Sequence, residues 1–290
     1  YGLVGYKIHA KLLLVVRKDD DCIRRYVHLG TGNYNPNTAR LYTDLSLLTC
    51  RTDFGEDATN LFNLLTGICQ FQGTRRLLVA PFELRERVLA LIRREAEHAQ
   101  QGLPARIVAK TNALVDREII QALYLASQAG VKIDLIVRGI CCLRPGLAGV
   151  SENIAVRSIV DRFLEHSRIY YFENACQPEV FLSSADWMPR NFLRRIEVLF
   201  PIEDGILRER VKRELLDIPL GDNVKARLLQ SDGSHQRPSV KRGTPLRRSQ
   251  TDFIELARSN HANSAKAAKE KRPARSKYSR VKLAGSPVGK

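Results

Sequence analysis

The sequence predicts an α/β chain, and three observations predict it. Short leucine-rich and β-branched runs alternate with amphipathic helical stretches through residues 1–220. One stretch reads strand, helix, strand, the unit that builds parallel sheets. A pattern of histidine, cation, strand, turn, strand and small hydroxyl residue occurs twice.

Taken in order, Lys11–Arg17 and Arg24–Leu29 read as strands joined by a turn at Asp19–Asp21. Asp53 and Glu56 have capping-box spacing and predict a helix over Ala58–Cys69. Gly73–Pro81 reads as a boundary. Glu83–Gln100 predicts a helix with Leu84, Val88, Leu91 and Ile92 on its buried face. Arg106–Ala109 is a strand. Asp116 caps a helix that buries Ile119, Ile120, Leu123 and Ala126 and ends at Gly130, before the strand Val131–Val137. Val156–Glu165 reads as helix. Arg168–Phe172, Val180–Ser183 and Arg195–Ile202 read as strands, and Ile206–Leu216 and Arg247–Arg258 as helices.

Composition narrows the function classes. The 290 residues are 44% hydrophobic and 27% charged, which excludes a wholly disordered chain. No apolar run approaches the roughly 20 residues of a membrane span. Of the net charge of +16, the stretch from Gly221 to Lys290 carries +12 (17 basic, 5 acidic), so residues 1–220 carry only +4. The basicity belongs to the end of the chain and does not by itself make the body a nucleic-acid binder. From Ser259 onward the composition predicts a disordered basic tail able to hold polyanions. The six cysteines form no C-x-x-C pair, which argues for reduced thiols and against zinc. No G-x-x-x-x-G-K-[ST] loop is present, which excludes the P-loop route to phosphate binding.

The repeat carries the chemistry. His9-Ala10-Lys11 leads into a strand, and a second strand ends in Gly30-Thr31-Gly32-Asn33. His166-Ser167-Arg168 leads into a strand, and a second strand ends in Ser183-Ser184-Ala185-Asp186. The histidine precedes Asn33 by 24 residues and Asp186 by 20. Positions i and i+2 of a strand share a face, so each half offers an imidazole and a cation together, with a hydrogen-bonding group alongside. One imidazole can attack phosphorus while the other moves a proton, and Lys11 and Arg168 can hold phosphate oxygens. His28, His98, His235 and His261 show no such context and are assigned no chemistry.

These motifs resemble the phospholipase D superfamily in degenerate form. More closely, Tyr26–Pro36, Thr38–Asp44, Val137–Pro145, Phe163–Tyr170 and Ser183–Asn191 resemble the bacterial, ATP-dependent, histidine-phosphorylating polyphosphate kinase family. The resemblance implies phospholipase D-like mixed sheets flanked by helices, the first domain truncated (1–76), the second complete (77–258), then the tail (259–290). It implies reversible transfer of the ATP γ-phosphate to inorganic polyphosphate through a phosphohistidine on His9, with His166 as general acid/base. Nucleotide contacts map onto Tyr42, Arg138 and His166. Lys110 and Asn112 map onto a phosphate-facing segment, and Lys11, Asn33 and Arg168 complete the candidate phosphate-binding set. Arg144 and Arg190 are further candidates to neutralise the polymer. Magnesium is implied with no ligand assignable in this chain. A homo-oligomer is implied for the full-length protein, along with a cytoplasmic location, peripheral membrane attachment being left open. The chain then reads as a C-terminal fragment, expected to be inactive alone. Two rivals stand beside this reading. The first is a superfamily phosphodiesterase or transferase, disfavoured because Val16 and Glu173 stand where H-x-K-x-x-x-x-D requires Asp. The second is a noncatalytic polyanion-binding module.

Overall fold

The computed structural model describes residues 2–270, with side-chain burial through residue 261. The strands are β1 (Lys7–Ile8), β2 (Lys11–Lys18), β3 (Ile23–Gly30), β4 (Tyr42–Thr43), β5 (Ser46–Thr49), β6 (Leu78–Ala80), β7 (Arg106–Thr111), β8 (Lys132–Val137), β9 (Ile154–Ile159), β10 (Leu164–Glu165), β11 (Arg168–Phe172), β12 (Glu179–Ser183), β13 (Arg195–Pro201), β14 (Ala226–Leu229) and β15 (His235–Gln236). The helices are α1 (Thr52–Leu65), α2 (Leu84–Gln100), α3 (Arg117–Gln128), α4 (Pro189–Arg194), α5 (Gly205–Arg210), α6 (Ile218–Leu220) and α7 (Ser249–Glu270). A π-helical turn, Val211–Asp217, joins α5 to α6. Among the described residues, those up to Gln250 form one compact unit and those from Thr251 on another.

A mixed ten-stranded sheet organises the first unit, in the order β1-β13-β12-β11-β7-β8-β9-β14-β15, with β6 also on β13. Its central strands are buried on both faces, and alternate side chains feed two cores. Ile107, Ala109, Tyr170, Phe172 and Leu199 point into a core completed by α2 and α3. Val108, Ile169, Tyr171, Val198 and Phe200 point into the other, where they meet Phe54, Ala58 and Leu61 of α1 and Val27 and Leu29 of β3. Residues 1–76 therefore share a core with the remainder of the unit. The second sheet, β2-β3-β5, is antiparallel throughout. Among the described residues the outer edge of β2 pairs with no strand, and Leu13, Val15 and Val16 on it are exposed.

Several expectations need correction. Residues 154–159 form strand β9, parallel to β8 and antiparallel to β14, where helix was expected. Ile154 and Val156 are buried while Ala155 is exposed, a period of two that fits a strand. Helix α1 starts at Thr52, and Asp53 sits in its first turn bound to Arg51 and Arg76, so no capping box forms at Asp53. Strands β5 and β6 are too short to stand out in the sequence. Helix α7 continues to Glu270, past Ser259 where disorder was expected. The rest of the expected tail, 271–290, lies outside the described residues. The Asp116 cap forms as predicted, its carboxylate accepting from the Glu118 and Ile119 N–H groups.

Candidate active site

The sequence repeat becomes a structural repeat whose two halves exchange partners. Strand β1 lies parallel to β13 and delivers His9 beside it, where the His9 and Ala10 N–H groups both donate to the Ile196 carbonyl. Strand β10 lies parallel to β4 in the same way and delivers His166, whose N–H donates to Thr43 Oγ1 at 3.3 Å. Each imidazole then meets a carboxylate from the other half. His9 Nδ1 lies 2.9 Å from Glu197 Oε2. His166 Nδ1 lies 2.8 Å from Asp44 Oδ1 and 3.0 Å from Oδ2.

The supporting bonds repeat as well. Thr31 Oγ1 donates to Asp44 Oδ1 at 2.7 Å, and Ser184 Oγ donates to Glu197 Oε2 at 2.5 Å. The same hydroxyls accept from the backbone one residue beyond each carboxylate, Leu45 N–H and Val198 N–H, both at 3.0 Å. The cation two residues after each histidine returns to that histidine's carbonyl, Lys11 to His9 and Arg168 to His166. Asp44 follows Thr31 by 13 residues and Glu197 follows Ser184 by 13. The sequence reading missed both carboxylates, although this shared spacing was the signal that could have found them.

The halves differ in charge environment. Glu197 is 0% exposed and Asp44 23%. Arg168 grips Asp186 with two parallel bonds, 3.0 and 3.1 Å, and Asp186 also accepts from Asn112 N–H and Thr111 Oγ1. Burial pushes the Asp186 carboxyl up, but Arg168 and these donors outweigh it and hold the group below the usual carboxylate range. Burial is also the largest influence on His166. Asp44 favours its cation, yet burial together with Arg168 and Arg138 wins, and the imidazole titrates below its ordinary value. It is neutral at pH 7, with its proton on Nδ1 facing Asp44, and Arg168 Nη1 lies 3.2 Å from Nε2. Burial brings the Lys11 ammonium down to about 8 against the attraction of Glu197, with Arg168 adding to the fall.

The remaining expected residues divide. The Tyr42 ring lies over that of His166, centroids 4.7 Å apart. Arg138 donates from Nε to Asn112 Oδ1 at 2.7 Å, and Tyr42 and Arg138 line a cavity of about 380 Å³ with Asp161, Arg162, Phe163 and Leu164. A larger groove of about 550 Å³ lies at the far end of the strands, around Glu179 and Pro201, away from both histidines. Lys110 and Asn112 do not face a free phosphate site. Lys110 is buried and bound to Glu165 at 2.6 Å and Ser167 at 2.9 Å, and buried Asn112 bridges Arg138 to the His166 carbonyl. Asn33 is exposed, and its side chain does not reproduce the Asp186 contact to the neighbouring cation. Arg144 turns to the Ser231 carbonyl, and Arg190 is exposed. His28 meets only the Tyr34 hydroxyl. All six cysteines are free.

Gly32 leaves room for the crossed pair. A Cβ there would lie 2.2 Å from Asp44 Oδ2. Gly32→Ala therefore drives the Asp44 carboxylate off His166. Asp44 is the chief group favouring the imidazolium. The expected result is a His166 that titrates still lower, read by NMR of labelled histidine, with the other histidines unchanged.

Among the described residues, no three His, Cys, Asp or Glu side chains converge to hold a metal ion. Of the carboxylates nearest the histidines, Asp44 and Asp186 are engaged by imidazole, hydroxyl or guanidinium groups, and Glu197 Oε1 alone is without a hydrogen-bond partner. One such oxygen does not make a site, so the described residues do not fit magnesium.

Two His-x-Lys/Arg elements, each following a two-residue strand and completed by the opposite half, are set into this mixed α/β fold. Residues 1–71 match the profile described as polyphosphate kinase C-terminal domain 1, and residues 77–250 match polyphosphate kinase C-terminal domain 2. The chain belongs to the polyphosphate kinase family. It is 57% identical over 241 residues to the polyphosphate kinase of Synechocystis sp. (82% of this chain, 33% of the relative) and 54% identical over 255 residues to that of Pseudomonas aeruginosa (88% and 37%). The crystal structure of polyphosphate kinase from Porphyromonas gingivalis superposes with a TM-score of 0.84 at 39% identity, covering 90% of this chain and 40% of that one. The chain thus spans about a third of the length of the curated relatives it matches. No helix among the described residues is long and apolar enough to cross a membrane.

Proposed function

We propose that this chain carries the phosphoryl-transfer centre of an ATP:polyphosphate phosphotransferase, with His9 as nucleophile and His166 as proton acceptor and donor. The observation that carries the reading is the crossed pair of imidazole–carboxylate contacts, together with membership in the family. The division of the chain into 1–76, 77–258 and 259–290 belongs to the same proposal, and the two profile matches, 1–71 and 77–250, support its first boundary. So does the pairing of ATP and polyphosphate as substrates.

Glu197 accepts the Nδ1 proton of His9 and leaves the Nε2 lone pair free. Nε2 attacks the γ-phosphorus in line, the bond to the β-phosphate oxygen breaks, and ADP leaves with the electron pair. The positive charge on the phosphorylated ring is offset by buried Glu197. A terminal oxygen of polyphosphate then attacks the same phosphorus, the N–P bond breaks, and His9 returns neutral. Neutral His166 takes the proton of the acceptor phosphate on Nε2 and returns it in the reverse reaction. Lys11 and Arg168 neutralise the oxygens of the transferring group, where positioning and charge do most of the catalysis. No step is routed through magnesium.

The test uses the 290-residue chain and a chimera in which residues 1–258 replace the matching stretch of the Synechocystis relative. ATP-dependent, acid-insoluble polymer in the chimera supports the proposal. Phosphodiester turnover without ATP, or polyanion retention alone, contradicts it.

Lys11 supplies a pH signature. It is charged below about 8 and loses its charge as pH rises through that value. Affinity for inorganic polyphosphate at fixed ionic strength is expected to fall between pH 7 and 9.5, by up to about tenfold per pH unit once above 8. Lys11→Arg, which keeps its charge, removes that fall.

A further inference from the structure

The last residues of the first unit fasten onto the segment that carries His166. Arg248 holds Asp161 with two bonds, at 2.7 and 2.5 Å. Ser249 donates from its N–H and its hydroxyl to Asp222 Oδ2, at 2.8 and 2.7 Å. Gln250 goes further. Its Oε1 accepts from Phe163 N–H at 2.8 Å, and its Nε2 donates to the Phe163 carbonyl at 2.9 Å and to Glu165 Oε1 at 2.7 Å. One side-chain amide thus reproduces the two backbone bonds of a neighbouring strand. The other oxygen of Glu165 holds Lys110 and accepts from Thr43 Oγ1, the atom that also receives His166 N–H.

The amide matters because so little else supports this place. Strand β10 is two residues long and pairs only with the two residues of β4. His166 follows it directly, and Tyr42 in β4 lies over the imidazole. Gln250, Glu165 and Lys110 are each no more than 3% exposed, so water cannot replace a lost partner without the segment opening. Without the Gln250 amide, Glu165 is left with an unpaired buried oxygen and the Phe163 N–H with no acceptor. The wall of the Tyr42–Arg138 cavity, which includes Phe163 and Leu164, is held by the same strap.

We infer that Gln250 is a positioning residue for His166, acting through Phe163 and Glu165, and that Arg248–Gln250 is a strap that is part of the active-site support. The inference rests on the role proposed for His166. The charged groups around that imidazole are Asp44 from the opposite half, Arg168 two residues on, and Arg138 from the end of β8, with the Lys110–Glu165 pair beside its backbone.

The test compares Gln250→Met, which keeps the volume and removes the amide, with Gln250→Ala, and with Glu95→Gln as a control. Glu95 is a buried carboxylate that accepts from the Arg106 and Asn174 N–H groups, away from the site. In the 290-residue chain, NMR of labelled histidine reads each imidazole. Both Gln250 variants are expected to move His166 upward toward its ordinary titration value as water enters, while Glu95→Gln leaves it in place at a comparable loss of Tm. In the chimera, Gln250→Met is expected to lower polymer synthesis by about 10²-fold. If Gln250→Met or Gln250→Ala folds with His166 unmoved and synthesis intact, the inference is overturned. If Glu95→Gln moves His166 equally, the effect is general loosening and the inference also falls. Absence of synthesis in the unmutated chimera overturns the functional reading, whereas the histidine titration still decides the strap.

Discussion

His9→Ala is expected to abolish covalent phosphorylation of the protein and to lower polymer synthesis by roughly 10⁴-fold or more, the scale on which loss of an acting nucleophile is felt. The side chain directly follows the two-residue strand β1, is partly exposed, and belongs to neither core, so the loss is chemical. Stability changes by a smaller route. Glu197 is fully buried and would keep the Ser184 hydroxyl as its hydrogen-bond donor, with Arg195 Nη1 3.8 Å from its other oxygen, leaving a buried carboxylate short of one partner, worth about 1–3 kcal/mol. His9→Gln offers Glu197 an amide donor instead and separates the two effects. It should restore Tm while leaving synthesis abolished. Equal synthesis in His9→Ala and wild type, measured as acid-insoluble phosphate from ATP, would remove His9 from the mechanism.

Glu197→Gln gives the second large effect, a loss of about 10²- to 10⁴-fold in synthesis, because an amide no longer fixes the His9 proton on Nδ1 or offsets the charge on the phosphorylated ring. Asp44→Asn acts on His166 in the same way but should cost less, since Asp44 is partly exposed and water can replace part of the contact. The two losses need not add, because each carboxylate serves a separate half-step of one site. Steady-state synthesis and single-turnover labelling tell them apart. Glu197→Gln should slow formation of the labelled protein. Asp44→Asn should leave labelling near normal and slow its discharge to polyphosphate.

Much of this was legible in the sequence because the fold obeys simple periodicities. Asp116 and the Ile119–Leu123 stripe announced α3, and the runs Arg106–Ala109 and Val131–Val137 announced β7 and β8, on either side of it. The histidine repeat announced the site. Other features were hidden for physical reasons. Residues 154–159 are too short a run to read as strand by themselves, and pairing with β8 and β14 settled what local pattern left ambiguous. Asp44 and Glu197 were overlooked because each serves the histidine of the other half, and only the parallel pairing of β1 with β13 and β10 with β4 reveals that exchange. The family resemblance placed Lys110 in a phosphate-facing segment. Its ammonium is instead spent on Glu165 and Ser167, beneath His166. Gln250 lies 84 residues beyond that histidine and bears no motif at all.

The central claim is that the Glu197 contact at Nδ1 makes Nε2 of His9 the atom that takes the phosphate. The chimera would be incubated with γ-labelled ATP in magnesium buffer, digested in alkali, and the phosphohistidine isomers separated. Label on Nε2 of His9, absent from His9→Ala and chased into polymer by unlabelled polyphosphate, is the predicted result. Label on Nδ1, or polymer made at full rate with no labelled histidine, would contradict it.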